Sequence, residues 1–250
     1  MRRALRCQNL RKRFGGIHAL NDVSVSFPEA GAVGIIGPNG AGKSTLLNAL
    51  TGFVRPDSGT CFLGDEDIGA LRPHQIVRLG IARTFQKVRL VAGLSVLEHV
   101  MLAAPHQRGE CLPNCLTGRG VAQDEEKNRR RGTDLLDVVD LADKSSLSAA
   151  DLSYGQQKLL SICCCVATDA GILLLDEPVA GVHPAMIARI SSYIRGLVEK
   201  GYLVVFVEHH LDMVRQTADH TMVMAEGRII ASGSPGDVLK RPEILEAYVS

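Results

Sequence analysis

The stretch Gly37-Pro38-Asn39-Gly40-Ala41-Gly42-Lys43-Ser44-Thr45 constrains the fold more than any other part of the chain. It fits the pattern G-x-x-x-x-G-K-[ST], directly after the apolar run "AVGIIG" and before the helical pattern "GKSTLLNALTG". Glycines in such a loop let backbone N–H groups turn inward around phosphate oxygens, and the following helix adds its N-terminal donors and dipole. In that arrangement Lys43 reaches the β- and γ-phosphates and the Ser44 hydroxyl ligates Mg²⁺.

Two further apolar runs, "GILLLDEP" from Gly171 and "YLVVFVEHH" from Tyr202, have the length and consecutive burial expected of strands covered on both faces. Helical patterns separate the runs, so strand and helix alternate and a parallel sheet is expected. The early segments "LRCQNL", "VSVSFP" and "GTCFLG" alternate better and predict an antiparallel part beside the main sheet, while "TMVMAEGRIIASG" predicts a hairpin around Glu226-Gly227. From Gln86 to Asp151 the pattern is helical, broken by the polar loop "PHQRGECLPNCLTGRG". The expectation is a single domain over 1–250, with a helical subdomain at about 87–165 inserted in the α/β core.

Asp176 and Glu177 fall at the C-terminal end of the second run, the edge where ligands bind in open α/β sheets. Asp176 suits the Mg²⁺ shell and Glu177 the orientation or deprotonation of an attacking water. The third run brings His209 to the same edge, where an imidazole senses or stabilises a γ-phosphate.

Bulk properties narrow the class. The chain has 250 residues, 46% of them hydrophobic, and a net charge of +1, so it carries no global basic field of the kind nucleic acid selects. The run "EEKNRRRG" reads as a solvated helix face with internal acid–base pairs. The basic N-terminus lacks the apolar region of a secretory signal, and no apolar run approaches the roughly 18–20 residues of a membrane span. The seven cysteines read as reduced thiols. Cys163, Cys164 and Cys165 fan out at about 100° per residue on a helix and cannot share one metal. Packing is expected of the first two, whereas Cys165 shares a polar row with Lys158 and Ser161.

The motifs together resemble the ATP-binding-cassette (ABC) ATPases over nearly the whole chain, which implies an α/β P-loop NTPase fold with a mostly parallel core sheet, an antiparallel β subdomain and the helical insertion. Gly37–Ser44 looks like the Walker A loop, Ile172–Glu177 the Walker B strand with its catalytic glutamate, and His209 the switch histidine. Gln86 in "ARTFQ" is similar to the glutamine that touches Mg²⁺ or water and faces the membrane partner. Phe14 in "KRFGG" is similar to the aromatic that stacks on adenine, with a core residue as the alternative. Leu152-Ser153-Tyr154-Gly155-Gln156 looks like the signature that caps the γ-phosphate of ATP on a second subunit, through donors of Ser153 and Gly155 at a helix start. The resemblance implies ATP and Mg²⁺ as ligands, a face-to-face pair of cassettes, two membrane permeases, a solute-binding protein and a place at the cytoplasmic face of the membrane.

Two positions depart from the commoner family pattern. Tyr154 replaces the first glycine of LSGGQ, a variation similar to import ATPases for branched-chain amino acids, and His183 in "AGVHP" stands where many members carry aspartate between subunits. With "RLGIARTFQ", "LDEPVAGVHP" and the ending "EILEAYVS", these features resemble the branched-chain amino acid importers, with urea or amide importers close by. Alternatives are a lipid or lipopolysaccharide exporter ATPase and a soluble, non-transport ABC ATPase. A GTPase would need an N-K-x-D sequence, which is absent from the chain, and a kinase has no role for the signature.

Overall fold

The computed structural model describes residues 3–110 and 120–241. Cys111, Cys115 and the ending "EILEAYVS" lie outside the described residues. Two sheets organise the rest. The first is antiparallel, ordered β2-β1-β4-β5 from β1 (Leu5–Phe14), β2 (Ile17–Ser26), β4 (Ser58–Leu63) and β5 (Glu66–Asp67). The second is ordered β10-β9-β3-β8-β7-β6, from β3 (Gly31–Ile36), β6 (Ile81–Arg83), β7 (Ile172–Asp176), β8 (Leu203–Val207), β9 (His220–Ala225) and β10 (Arg228–Gly233). It is parallel from β9 to β6, with β10 antiparallel at one edge.

The apolar runs are consecutive because both faces of this sheet are covered. Ile36, Leu173, Leu175, Val204 and Phe206 point into one core, whereas Val33, Ile35, Leu174, Val205 and Val207 point into the other. The first core is closed by α5 (Tyr154–Ala167), α6 (Pro184–Glu199) and α7 (Leu211–Thr217). The second is closed by α1 (Lys43–Leu50), through Leu46, Leu47 and Leu50, and by the antiparallel sheet through Leu5, Leu10 and Leu20. A short α2 (Pro73–Arg78) precedes the edge strand β6, and α8 (Pro235–Val238) follows β10. The β9–β10 turn holds Glu226 and Gly227 at φ 47° and 74°, the pair of positive values that matches a two-residue turn to strand twist.

Between β6 and β7, α3 (Val96–Leu102) and α4 (Val121–Val138) pack on α5, with Val96, Val100 and Leu136 buried together. Ser95 and Glu98 close a capping box at the start of α3. The charged run of α4 carries the i,i+4 pair Glu126–Arg130, and Arg131 pairs with Asp169. Cys163 and Cys165 are buried, and Cys164 is the most accessible of the three. The polar reading of Cys165 therefore fails, because its row partner Lys158 is itself drawn inside. Burial raises the Cys163 and Cys164 thiols to about 12, and raises Cys165 as well.

Candidate nucleotide site

The parallel strands β6, β7, β8 and β3 end on one edge, and the residues just beyond them lie together. After β3 the chain turns through Gly37, Gly40 and Gly42, at φ 149°, 80° and 100°. A Cβ on Gly37 would sit 2.0 Å from the Met224 carbonyl oxygen, and one on Gly42 would sit 2.2 Å from that of Ala19. The loop is thus wedged between the backbones of β9 and β2, and only glycine fits at these two points. Asn39 and Gly40 are exposed at its tip, with Pro38 and Ala41 on either side, and Ser44 and Thr45 lie in the first turn of α1. Gly42 caps α1 without a side-chain bond, so no capping side chain competes with an anion for the helix's N-terminal donors.

Lys43 is buried and curls back over the loop, its Nζ donating to the carbonyls of Gly37 at 2.7 Å and Pro38 at 2.8 Å. Burial lowers its pKa, against the opposing pull of Glu177 and Asp176. The ammonium therefore waits at the loop's inner wall, satisfied by weak neutral acceptors that a phosphate outcompetes.

Asp176 ends β7, buried, with its two oxygens divided between partners. Oδ1 accepts from Ser44 Oγ at 3.3 Å and Oδ2 from Arg83 Nη2 at 2.7 Å. Arg83, on β6, also donates to Asn48 at 2.6 Å and Thr51 at 3.2 Å. Thr84 Oγ1 accepts from the Asp176 backbone N–H at 3.1 Å. Ser44 and Asp176 thus bring two hard oxygen ligands together at the foot of the phosphate loop, a donor set that suits Mg²⁺.

Glu177 follows at φ 50°, a left-handed conformation uncommon outside glycine, and its N–H donates to Val207 at 3.0 Å. Its carboxylate accepts from Gln86 Nε2 at 2.9 Å and lies 3.5 Å from His209 Nε2. Burial lowers the His209 pKa and Lys43 adds to that, while Glu177 opposes both. The imidazole is therefore neutral near pH 7. Gln86 reaches Glu177 rather than the Ser44–Asp176 pair, so the amide sits with the carboxylate beyond the end of β7.

Three supporting side chains escaped the sequence reading. Glu208 is buried, accepts from Val179 N–H at 2.8 Å and from His209 N–H at 3.1 Å, and so fixes the turns after β7 and β8 together. Burial raises its pKa against these bonds. Arg83 stands three residues before Gln86, and Lys158 two after Gln156. Their positions beside recognisable motifs were the available signal, but burial of a charge cannot be read from sequence pattern alone.

Ser153 caps α5 in a reciprocal box, its Oγ accepting from Gln156 N–H at 3.4 Å and its own N–H donating to Gln156 Oε1 at 3.0 Å. Ser153 and Tyr154 are exposed, whereas Gly155 is buried, where a Cβ would meet Met186 at 2.5 Å. Exposed His183 caps α6 through Nδ1, which accepts from Ala185 N–H at 3.3 Å. Phe14 ends β1 half exposed, with the Lys12 ammonium 5.5 Å from its ring, so its alternative reading as a core residue fails.

A family model described as ABC transporter matches residues 20–180. The chain is 38% identical over 245 residues to a probable branched-chain amino acid transport ATP-binding protein LivG of Archaeoglobus fulgidus, covering 98% of this chain and 95% of that one. It superposes with TM-score 0.85 on an ATP-binding cassette of an ABC transporter in its ADP conformation, 34% identical, with all of both chains covered. A dimeric cassette in a post-hydrolysis state with ADP and Pi gives TM-score 0.76 at 25% identity, covering 92% of this chain and 98% of that one. The phosphate loop, the acidic strand end and the matched span agree, and the chain belongs to the ABC transporter family as one of its ATP-binding cassette ATPases.

Proposed function

We propose that this cassette powers uptake of branched-chain amino acids, or related small polar solutes, by hydrolysing ATP between two cassettes beneath a pair of membrane permeases, with a solute-binding protein delivering cargo. The reading is supported by the likeness to LivG and, above all, by the contact of Glu177 with both Gln86 and His209 beside the phosphate loop. It places the chain at the cytoplasmic face of the membrane as a peripheral subunit. Among the described residues no helix is long and apolar enough to cross a membrane.

In this reading Gly37–Thr45 wraps the phosphates with backbone donors, Phe14 stacks on the base, and Lys43 exchanges its loop carbonyls for phosphate oxygens. Ser44 and Asp176, with Gln86 nearby, would hold Mg²⁺, which neutralises charge on the β- and γ-phosphate oxygens when bound. Glu177 orients and polarises water at the γ-phosphate. Gln86 and neutral His209 keep its carboxylate in register, and His209 offers its ring to the same phosphate. Ser153, Gly155 and Gln156 face the ATP of the second subunit, whose own signature completes this site, so a lone cassette hydrolyses poorly. Residues at about 87–165 act within the single domain as a helical arm. It carries part of an apolar groove of about 250 Å³, lined by Phe85, Val88, Leu90, Ala103, Leu160 and Cys164, where the permease docks.

Glu177→Gln is the test of the catalytic reading: ATP binding stays, turnover stops and a closed dimer accumulates. Unchanged turnover in that variant sinks the assignment. For the cargo, the cassette co-purified with its membrane partners is assayed for ATPase stimulation by leucine, isoleucine and valine. Stimulation by urea or short amides instead would move the cargo to that class.

A further inference from the structure

Two lysines are buried among the described residues, Lys43 in the phosphate loop and Lys158 on α5. The mechanism above uses only the first. Lys158 Nζ donates to two backbone carbonyls, those of Gln86 and Glu177, each at 2.8 Å. These are the residues whose side chains bond one another at 2.9 Å. The contacts therefore close a ring: ammonium, Gln86 backbone, Gln86 amide, Glu177 carboxylate, Glu177 backbone, ammonium. Tyr154 of the signature lies against the same cation, its ring 5.6 Å from Nζ.

The ring joins three segments far apart in sequence and ties α5 to the already paired ends of β6 and β7. Glu177 adopts φ 50°, a left-handed value that costs a non-glycine residue free energy, and the ring adds to what holds it there. The anionic side chains facing the ammonium are Glu208, Glu177 and Asp176, and their attraction opposes the burial that lowers its pKa. A methionine would fill the same space, yet it would take the ammonium from both carbonyls and leave that of Glu177 only the Ala180 N–H at 3.3 Å.

We propose that Lys158 is a positioning residue for ATP hydrolysis, clamping the backbones of Gln86 and Glu177 so that amide and carboxylate meet in one geometry. Because Lys158 lies just over one helical turn beyond Ser153, it also ties the segment that faces the second subunit's ATP to the glutamate acting on this subunit's own. The proposal rests on the assignment of Glu177 as the residue that polarises water.

The test compares K158M, K158Q and K158R with the wild type and E177Q as full chains with MgATP, after thermal melts have shown which variants fold. K158M and K158Q are expected to lower kcat about 10- to 100-fold, the scale of a misplaced catalytic group, with KM for ATP within about twofold. K158R, which keeps charged donors at lysine's reach where the Gln amide is neutral and one bond shorter, is expected to recover most of kcat. In the E177Q background K158Q is expected to leave ATP-driven dimerisation in place, since the clamp acts on hydrolysis and not on nucleotide capture. The proposal is overturned by wild-type kcat in a folded neutral variant, by a rise in KM with kcat unchanged, or by K158R behaving like K158Q. E177Q turning over like the wild type would overturn the Glu177 assignment itself, a result separable from any effect at Lys158.

Discussion

Replacing Arg83 by Met keeps the stem of the side chain and removes its guanidinium, which makes it a direct probe of the ion pair beneath the site. Arg83 and Asp176 are only 6% and 4% exposed and 2.7 Å apart, so water cannot take over when one partner goes. Removing one member of a buried pair typically costs about 3–5 kcal/mol, because the remaining charge is stranded. Here Asp176 would retain Ser44 Oγ at 3.3 Å, and Asn48 and Thr51 would lose their shared donor. Urea unfolding without nucleotide, followed by circular dichroism, reads the effect. With a slope of about 3 kcal/mol/M the midpoint should fall by about 1–1.7 M at constant slope. The double variant R83M/D176N should cost less than the sum of the singles by about 0.5–3 kcal/mol, since neither charge is then stranded. A loss below about 1 kcal/mol in R83M, or strict additivity in the double variant, would refute the argument that the pair is buried and mutually dependent.

Three further outcomes are expected. Gly37→Ala should abolish nucleotide binding by equilibrium dialysis, because its Cβ would collide with the Met224 carbonyl at 2.0 Å; normal affinity would contradict the wedged loop. Cys7, Cys61 and Cys163, each raised to about 12 by burial, should resist iodoacetamide in the native protein at pH 8 and react after unfolding, as read by peptide mapping. His209 should titrate below 6.5 by NMR. Because its folded pKa is depressed, it has no effect on stability above 6.5 and withdraws stability as pH falls from 6.5 through the folded value, a slope that H209N should lack; a midpoint at or above 6.5 would contradict this.

Much of the site was legible because its chemistry is local. The glycines of 37–42 reflect backbone angles that other residues cannot adopt, and the carboxylates of Asp176 and Glu177 sit where an apolar run stops. The strands of the parallel sheet could be read from consecutive Val, Ile and Leu, since a strand covered on both faces has no polar side to show. Less visible were β5 and the edge strand β6, two and three residues long, which are too short for any periodicity to register.

The row from Lys158 through Ser161 to Cys165 marks the boundary. Its composition says solvent, and in isolation a lysine row on an amphipathic helix faces water. The fold reverses this, because two backbone carbonyls from distant segments converge over that face and draw the ammonium inward as a donor to both. Arg83 and Glu208 are turned inward in the same way, one by Asp176 and the other by the N–H groups after β7 and β8. What the sequence by itself determined was the long buried strands, the phosphate loop and the candidate polar groups at the strand ends, all set by local backbone freedom and hydrophobic run length. What only the tertiary structure decided was which charges are buried to hold those groups in place, because a charge enters a protein interior only where partners from elsewhere in the chain meet it.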